Sequence, residues 1–551
     1  MILNKTDYIN KVDNILSDSS KFTPVNTNII KLVHKLEDKV MRFLRALKSK
    51  NIINDATFRF LSPTGSKPGI LYGLPKVHKP NCPIRPILSA IGTHTYNMAK
   101  YLIPFIKHLS INEYTVKDTF SFVKEISEFN SNNDRIMTSF DVKSLYTNVP
   151  LAETINIILD MIFTNSNNTY HSFTKNDFKK FLELTILDTH FIFNQNLYKQ
   201  IDGLAMGSPI APILANTFLA FHETKWLEDC PLSFKPVLYR RYVDDTFLLF
   251  RKLEHADLFL NYLNSRHPNI EFTKEIETNN SLPFLDVKIS KNSNQFTTSI
   301  LGKPTSTSLT MIFNSFDPFI YKINLIKTLI YRAFHISSVY ETMHEEFKKI
   351  ADILSNNGYK LPLIQKQVKH FLNSIFNEKS PSISTALKQS IYFKIPFHGN
   401  ESFHIRRQLN NIFKQYYPQI KINVVFTSNF KIKSFFSFKD KIPDCVRSSL
   451  VYKYTCGGCN ATYIGKTSRH LSTRISEHLG QSYRTGINLS NPPFSAIREH
   501  TSNSTCNIER ENFNIIATAT SEIDLIIKES ILIKQSNPPL NNMDSLQLRI
   551  L

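Results

Sequence analysis

The sequence predicts a multidomain α/β protein. Its 551 residues exceed what one hydrophobic core usually supports, and the 42% of hydrophobic residues are enough for several cores. Short β-prone runs alternate with segments of helical periodicity along most of the chain, which is typical of mixed α/β architectures. We therefore expect several folding units, each built from both helices and strands.

A strong excess of positive charge limits the kind of partner. The 66 Lys and Arg residues outnumber the 46 Asp and Glu residues and give a formal net charge of +20. Aromatic residues make up 12% of the chain, so the charge is expected on folded surfaces rather than on a disordered tail. Such surfaces favour a nucleic-acid partner. With no long apolar segment and no secretory signal, we expect an intracellular protein with no membrane partner.

The elements follow in order along the chain. Residues 1–60 place apolar side chains at spacings of three and four, which predicts a helical N-terminal extension. Residues 61–305 begin with turns rich in Gly and Pro and continue as mixed strands and helices. Helical periodicity with basic residues returns in residues 306–380. Residues 381–445 are expected to form a connector with one strand at Ile420–Phe426.

Three carboxylates are expected to converge in the middle of the chain. The run Val237–Arg251 has two β-prone halves around Asp244 and Asp245, which predicts a hairpin with two acids at its tip. The strand-like run Ile136–Val142 carries Asp141 near its end. If the strands pair, the cluster requires cations, and two Mg²⁺ ions would suit phosphoryl transfer to a 3′-hydroxyl. The alternative for the Asp pair alone is an ordinary polar turn.

The order of these motifs resembles that of reverse transcriptases. Phe140–Val142 resembles the first metal-binding strand of that family, and Tyr242–Asp245 (YVDD) resembles its YxDD hairpin. Between them, Gly203–Pro209 (GLAMGSP) looks like the Gly-Ser-Pro turn that supports the template and the incoming nucleotide. The resemblance implies that Gly207 and Ser208 contact the substrate.

The same resemblance implies further substrate-binding residues. The segments that hold Lys76 and Arg85 (YGLPK and PIRPI) resemble the fingers segment that grips the triphosphate, where fixed cations stabilise phosphoryl oxygens. Tyr146 stands where the family places an aromatic ring that excludes a ribose 2′-hydroxyl, and core packing is its alternative. Lys274 is similar to the lysine that protonates pyrophosphate. Solvated basic side chains are the alternative for Lys76 and Arg85.

Three segments narrow the resemblance to one branch of the family. Leu282–Val287 (LPFLDV), Gly73–Lys76 (GLPK) and Ser144–Pro150 (SLYTNVP) resemble the reverse transcriptases of Penelope-like retroelements, relatives of telomerase reverse transcriptase. A right-hand polymerase is implied, with fingers and palm in residues 61–305 and a helical thumb in residues 306–380.

The C-terminal residues 446–551 resemble a GIY-YIG nuclease, a small α/β domain. Leu450–Tyr452 and Tyr463–Gly465 stand in the places of the two signature strands, although Leu450 replaces the usual Gly. The family's catalytic residues then follow in order, and a surface helix with an incidental Glu is the alternative. The implied roles are Tyr452 and Tyr463 beside the attacking water, Arg474 on the phosphorane charge, His478 in proton transfer, Glu529 on a single Mg²⁺, and Asn541 as a brace.

A cysteine and histidine set in the same region favours a metal. Cys456 and Cys459 form a C-x-x-C knuckle between the two signature strands, and His500 and Cys506 follow downstream. These soft and borderline ligands suit a tetrahedral structural Zn²⁺, with Cys445 as a weaker substitute and a redox-active pair as the alternative. Endonuclease-bearing Penelope-like proteins are similar, with a Cys-Cys-His-His set in these places, so Cys506 would replace the last His.

The resemblances imply an RNA-directed DNA polymerase coupled to a DNA endonuclease, for target-primed retrotransposition. The expected partners are template RNA, a DNA primer, target DNA and dNTPs, and this function implies a nuclear location. Two alternatives remain. The chain could be a domesticated copy that only binds nucleic acid, or an intron maturase with a homing nuclease.

Overall fold

The structure is a computed structural model, and it is a mixed α/β protein. It describes residues 3–77, 79–129, 135–163, 169–292, 295–302, 305–376, 389–428, 435, 440–502 and 506–541. The predicted connector 381–445 therefore lies partly outside the described residues. Within the described ranges, every helix is too short or too polar to cross a membrane.

The helices are α1 (Lys5–Leu16), α2 (Ile29–Ser49), α3 (Asp55–Leu61), α4 (Tyr96–Ile106), α5 (Thr119–Glu128), α6 (Leu145–Asn148), α7 (Leu151–Ile162), α8 (Lys175–Ile186), α9 (Ala211–Glu228), α10 (Leu253–Asn264), α11 (Phe319–Ile336), α12 (Tyr340–Asn356), α13 (Leu361–Phe376), α14 (Asn400–Tyr416), α15 (Leu471–His478), α16 (Ala496–Ser502) and α17 (Glu522–Ser536).

The strands are β1 (Phe22–Pro24), β2 (Gly69–Pro75), β3 (Ile84–Ser89), β4 (Ile136–Val142), β5 (Thr169–Tyr170), β6 (Phe173–Thr174), β7 (His190–Phe193), β8 (Asn196–Gln200), β9 (Leu238–Tyr242), β10 (Asp245–Phe250), β11 (Phe272–Ile276), β12 (Ser281–Phe284), β13 (Val287–Lys291), β14 (Phe296–Ile300), β15 (Gln389–Pro396), β16 (Ile420–Thr427), β17 (Leu450–Thr455), β18 (Thr462–Thr467) and β19 (Phe513–Thr518).

The chain divides into two compact units, both discontinuous in sequence. The first unit contains residues 1–112, 144–224 and 438–551, and the second contains residues 113–143 and 225–437. The first unit therefore joins the N-terminal region to the C-terminal region, which the sequence pattern treats as separate domains.

The first unit is organised around two sheets. Its five-stranded sheet has the order β1-β8-β7-β2-β3, and its three-stranded sheet has the order β18-β17-β19. The N-terminal region is mainly helical, as the periodicity indicates, but β1 also adds a short strand to the edge of the larger sheet by pairing with β8. Helix α2 begins at the N-cap Asn28, whose side chain accepts from the N–H groups of Ile30 and Lys31, and it buries the stripe Val33, Leu36, Val40, Phe43, Leu44 and Leu47.

The C-terminal part of the first unit packs on its N-terminal part through hydrogen bonds. The Ser448 hydroxyl donates to the carbonyl of Gly65 at 2.6 Å, and His470 Nε2 lies 2.6 Å from the carbonyl oxygen of Ser66. Thr473 Oγ1 lies 3.3 Å from His34 Nε2 on α2. Strand β17 and helix α15 are therefore held against α2 and the loop that follows α3.

The second unit contains the predicted central hairpin. A four-stranded antiparallel sheet has the order β11-β4-β10-β9, and a three-stranded sheet has the order β12-β13-β14. Helices α11, α12 and α13 lie where basic helices were predicted and share an apolar core of Ile326, Ile330, Leu354 and Ile364. Strand β16 occupies the predicted strand at Ile420–Phe426 and pairs in parallel with β15.

Candidate functional site

The second unit brings the predicted carboxylates together at one end of its sheet. Strands β4 and β10 are antiparallel, and their register places Asp245 directly opposite Asp141. Directly opposite residues point to the same face, with Cβ atoms about 5 Å apart. The N–H of Val142 donates to the carbonyl of Asp244 at 3.1 Å, so Asp244 lies at the same end. The three acids therefore lie at one end of the sheet, and carboxylate oxygens are the type of ligand that Mg²⁺ prefers.

The turn that carries Asp244 has a strained backbone. Strand β9 ends at Tyr242 and β10 begins at Asp245, which leaves Val243 and Asp244 as a two-residue connection. Val243 has a φ of +58°, a conformation that β-branched residues rarely adopt. The guanidinium of Arg241, which is only 1% exposed, donates to the carbonyl of Val243 at 3.1 Å. Arg241 therefore holds the turn in its strained form.

Lys274, which the resemblance assigns to the protonation of pyrophosphate, lies on the face of the sheet opposite to Asp141, and its role stays a prediction. Strand β11 pairs with β4 so that Thr273 lies opposite Asp141 and Lys274 lies opposite Phe140. Successive side chains of a strand alternate between faces, so Lys274 is on the face away from Asp141. There it forms an ion pair with Asp257.

In the first unit, the predicted triphosphate clamps occupy one end of a hairpin. Strands β2 and β3 pair with Leu74 opposite Arg85, and the N–H of Lys76 donates to the carbonyl of Pro83 at 2.8 Å. Arg85 is exposed and Lys76 is half-buried. Both cations therefore belong to the same hairpin end.

The turn with Gly207 and Ser208 is fastened to β3. The N–H of Leu88 donates to the carbonyl of Met206 at 2.7 Å. Gly207 has a φ of +122°, and a Cβ atom there would collide with the Leu88 carbonyl oxygen. Only glycine suits both conditions. Ser208 follows directly and donates its N–H to Ala205 at 3.0 Å.

The other end of this turn is fastened to α6, which carries Tyr146. The N–H of Leu204 donates to the Tyr146 carbonyl at 2.6 Å. A Cβ atom on Gly203 would lie 2.7 Å from the Thr147 carbonyl oxygen, so this approach also depends on glycine. The substrate-binding residues predicted from three separate motifs are thus linked within one unit, and their individual roles stay predictions.

A second cluster lies in the three-stranded sheet of the first unit. The hydroxyl of Tyr452 is 2.6 Å from His478 Nε2, and Arg474 Nε donates to the same hydroxyl at 3.1 Å. The rings of Tyr452 and Tyr463 are 6.3 Å apart, centroid to centroid. Gly465 makes room for them, because a Cβ atom there would lie 2.6 Å from the Tyr452 hydroxyl oxygen. Four of the residues predicted for catalysis therefore surround one point.

The donors in this cluster fix the direction of each hydrogen bond. A guanidinium can only donate, so the Tyr452 oxygen accepts from Arg474 and its proton points to His478 Nε2. Nδ1 of His478 then carries the ring proton and donates to Ser495 Oγ at 2.7 Å. The chain of bonds runs from Arg474 through Tyr452 and His478 to Ser495.

Burial sets the charge states of the cluster. It raises the pKa of Tyr452, and burial together with the charges of Arg474 and Arg498 lowers the pKa of His478 to about 3. Burial opposes ionisation of Arg474, but its contacts with Tyr452 and Glu477 raise its pKa overall. At neutral pH, Arg474 is a cation and His478 is a neutral acceptor.

The remaining predicted residues border the same cluster. Glu529 on α17 is an ionic partner of Lys466 at 2.9 Å, and its charge raises the pKa of Tyr463 in addition to the larger effect of burial. The Asn541 side chain brackets Ile464 of β18, accepting from its N–H and donating to its carbonyl, both at 2.8 Å. The structure therefore brings all of the residues predicted for the nuclease into one region.

Sequence reasoning missed several supporting residues. Glu477 binds Arg474 at 3.0 Å and Arg469 at 2.5 Å, and it could have been found from its i,i+3 spacing to Arg474 on α15. Ser495, which fixes the His478 tautomer, lies in a loop without a local signal. Arg241 lies two residues after the buried Tyr239 on the same strand and therefore on the same face of the sheet, and this alternation could have identified it as buried.

Four potential metal ligands cluster beside the three-stranded sheet of the first unit. The ligand atoms of Cys456, Cys459, His500 and Cys506 all lie within 4.8 Å of one another. Tetrahedral Zn²⁺ places its ligands roughly 3.5 Å apart, which agrees with the 3.3 Å between Cys459 Sγ and His500 Nε2. Although burial opposes the thiolate, the N–H groups of Cys459 and Gly458, with His500 and Cys506, lower the pKa of Cys456 to about 6. Cys445 is not in the group.

Comparisons with known proteins identify two regions of the chain. Residues 77–274 match the family model "Reverse transcriptase (RNA-dependent DNA polymerase)", a span that includes Asp141, Asp244 and Asp245. Residues 310–369 match the "Animal helix-turn-helix domain" and contain α11, α12 and the first nine residues of α13. No curated protein sequence matches the chain.

Several solved polymerases are distantly similar to the chain. A Candida albicans telomerase in complex with an RNA fragment has 12% identity and a TM-score of 0.40, with 66% of this chain and 68% of that chain covered. A truncated Candida tropicalis apo telomerase has 13% identity and a TM-score of 0.35, with 52% and 58% covered, so this chain spans just over half of its length. A Sicinivirus RNA-dependent RNA polymerase has 11% identity and a TM-score of 0.38, with 57% and 71% covered.

The family match agrees with the location of the carboxylate cluster. Residues 77–274, which contain all three carboxylates, are therefore similar in sequence to reverse transcriptases.

Proposed function

We propose that the chain is an RNA-directed DNA polymerase coupled to a GIY-YIG DNA endonuclease, the protein of a Penelope-like retroelement. The nuclease would cut target DNA in the nucleus, and the polymerase would extend the exposed 3′-hydroxyl along element RNA. The observation that carries the polymerase is the register that sets Asp141 opposite Asp245 inside the reverse transcriptase match.

The polymerase would take the right-hand form, with the chain's own residues preparing the substrates. Asp141, Asp244 and Asp245 would hold two Mg²⁺ ions, which when bound supply Lewis-acid stabilisation to the transferring phosphoryl group. Arg241 keeps the hairpin turn in place through the Val243 carbonyl. Lys76 and Arg85 would bind the triphosphate as fixed cations. Lys274, paired with Asp257, has no part in this proposal.

Two further parts of the polymerase would select and hold its substrates. Tyr146 would exclude ribonucleotides, and the turn with Gly207 and Ser208 would support the nucleotide because it is fastened at both ends. Helices α11, α12 and α13 would act as a thumb that follows the primer and template by contacts to the backbone. The helix-turn-helix match over this region supports a role in nucleic-acid binding.

The nuclease would use the cluster around Tyr452. Glu529 would hold one Mg²⁺ ion, which when bound supplies Lewis-acid stabilisation at the scissile phosphate. Arg474 is a permanent cation in a half-buried site, so it would stabilise the charge of the phosphorane. Tyr452 and Tyr463 would orient the attacking water. Neutral His478 would hold the Tyr452 hydroxyl as an acceptor, and Asn541 would brace β18.

A structural zinc ion would complete the nuclease region. Cys456, Cys459, His500 and Cys506 would hold it, and it would join the loop between β17 and β18 to the end of α16. This loop lies next to the strands that carry Tyr452 and Tyr463, so the ion would stabilise the site without taking part in the reaction.

Separate assays test the two activities in the purified full chain. With an RNA template, a DNA primer and dNTPs, the unchanged protein should make DNA, whereas Asp244→Ala with Asp245→Ala should make none. Glu254→Ala removes an exposed acid from nearby α10 and should retain synthesis. Synthesis by the double variant would contradict the polymerase assignment. Nucleic-acid binding without synthesis by the unchanged protein would favour a domesticated copy.

The nuclease is tested on supercoiled plasmid with Mg²⁺. Nicking should be lost in Arg474→Ala and in Glu529→Ala and retained in Glu522→Ala, which changes an exposed acid on the same helix as Glu529. Equal nicking by all three variants would remove the nuclease from the proposal. Cutting at one long sequence only would favour a homing nuclease over a retroelement nuclease.

A further inference from the structure

Helix α2 carries a stripe of cations on its exposed side. Lys31, Lys35, Arg42 and Arg45 follow one another at helical spacing and are all exposed, with Asp38 between them. The opposite side of the helix is buried in the first unit. At 1.5 Å per residue, the stripe is about 21 Å long.

The C-terminal region supplies a second wall opposite this stripe. Tyr483, Arg484 and Arg510 line the same groove as the α2 cations, and the groove has a volume of about 600 Å³. Its only acid among the lining residues that the structure describes is Asp38, which pairs with Arg484. The groove is therefore strongly positive on both walls.

Aromatic packing joins the two walls. The ring of His34 on α2 contacts Tyr483 at 4.8 Å and His470 at 5.2 Å between centroids. The guanidinium of Arg484 lies over the Tyr483 ring at 5.1 Å. The groove is therefore formed by direct packing of α2 against the region that contains the nuclease cluster.

The pairing of cations differs inside and outside the groove. Lys39, Lys48 and Lys50, which lie on or at the end of α2 but do not line the groove, form ion pairs with Asp188, Asp55 and Asp177. Among the described residues, no ion pair neutralises the groove cations Lys31, Lys35, Arg42, Arg45 and Arg510. Cations that are left unneutralised along a groove suit a polyanion.

We propose that this groove binds the backbone of the duplex DNA that the C-terminal cluster cuts, so that helix α2 forms part of the nuclease's DNA-binding surface. The proposal rests on the proposed nuclease function. Tyr483 and Arg484 follow His478 by only a few residues, so DNA in the groove lies against the same folded region as the catalytic cluster. A 21 Å stripe corresponds to about six phosphates of one strand at about 3.4 Å each.

Salt-dependent binding tests the groove without cleavage. Full-length protein with Glu529→Gln, which prevents cutting, is titrated with a 30-base-pair duplex at several salt concentrations. Adding Arg42→Gln and Arg45→Gln should make the slope of log K against log salt shallower by about 1.8, since each lost phosphate contact removes about 0.9. Arg510→Gln, on the other wall, should remove about 0.9 by itself.

A matched pair of substitutions provides the control. Lys48→Gln with Lys50→Gln removes the same charge at the C-terminal end of α2, outside the groove, and should leave the slope unchanged. An unchanged slope in the Arg42 and Arg45 variant would overturn the proposal. An equal or larger loss of affinity for single-stranded RNA would also overturn it, because the groove would then be an RNA site. If the unchanged protein fails to nick plasmid, the proposed nuclease function is wrong. The slopes of log K against log salt still decide whether the groove binds duplex DNA.

Discussion

Mild acid is expected to destabilise the first unit through His478. This side chain is 2% exposed, and burial together with Arg474 and Arg498 lowers its pKa to about 3. In the unfolded chain the pKa is about 6.5. Between these values the unfolded chain binds a proton that the folded chain does not bind, so the free energy of unfolding falls as the pH falls below 6.5. At pH 5 the loss is about 2 kcal/mol, from about 1.5 pH units at about 1.36 kcal/mol each.

Urea unfolding at pH 7 and pH 5 measures this contribution when the unchanged protein is compared with His478→Gln. Glutamine offers an acceptor to the Tyr452 hydroxyl but does not titrate, so the loss of stability between the two pH values should be about 2 kcal/mol smaller. Buried His94, whose pKa burial lowers to about 4, contributes equally to both proteins and cancels. His108→Gln, at an exposed position of the same unit, should behave like the unchanged protein. An identical acid sensitivity in His478→Gln would refute this reasoning.

Three further substitutions test other features. Val243→Gly removes the strain of a positive φ and should raise the free energy of unfolding by about 1 kcal/mol. Primer extension should slow because the turn is less fixed. Faster primer extension would contradict this role of the strain. Gly207→Ala should lower the free energy of unfolding by about 1–3 kcal/mol and raise the KM for dNTPs, because the new Cβ atom displaces the turn from the Leu88 carbonyl. Unaltered steady-state kinetics would argue against a role of this turn in nucleotide binding. In metal analysis of the full chain, Cys459→Ser should abolish stoichiometric zinc binding, whereas Cys445→Ser should retain it. Equal zinc binding by both variants would exclude the proposed ligand set.

Local patterns predicted the elements that carry the sites. The β-prone runs around Asp141 and around Asp244 became β4 and the β9–β10 hairpin, since a short run of apolar, β-prone residues is a property of each strand alone. Strand register is not visible in such local patterns. The family resemblance assigned Lys274 to pyrophosphate, whereas the register sets it opposite Phe140 and therefore on the face away from Asp141.

Contacts between distant segments could not be predicted from such patterns. The groove on α2 depends on packing between regions that are hundreds of residues apart, as in the contact of His34 with Thr473. Ser495 contacts His478 from a loop 17 residues further along the chain. Strand β15 pairs in parallel with β16, which lies beyond an intervening helix. Neither case leaves a periodic signal, because the energy of packing comes from surfaces that meet only in the folded chain.

The discontinuity of the first unit has a consequence for how the protein is made. More than 200 residues separate its second segment, which ends at residue 224, from its third, which begins at residue 438. At about 5–20 residues per second, a ribosome needs roughly 10–40 s to synthesise them. During that interval the surface of α2 around His34 and the loop at Ser66 await their C-terminal partners. A fragment that stops before residue 438 would lack these hydrogen bonds permanently, and we expect its first unit to be less stable than in the full chain even though its polymerase residues are all present.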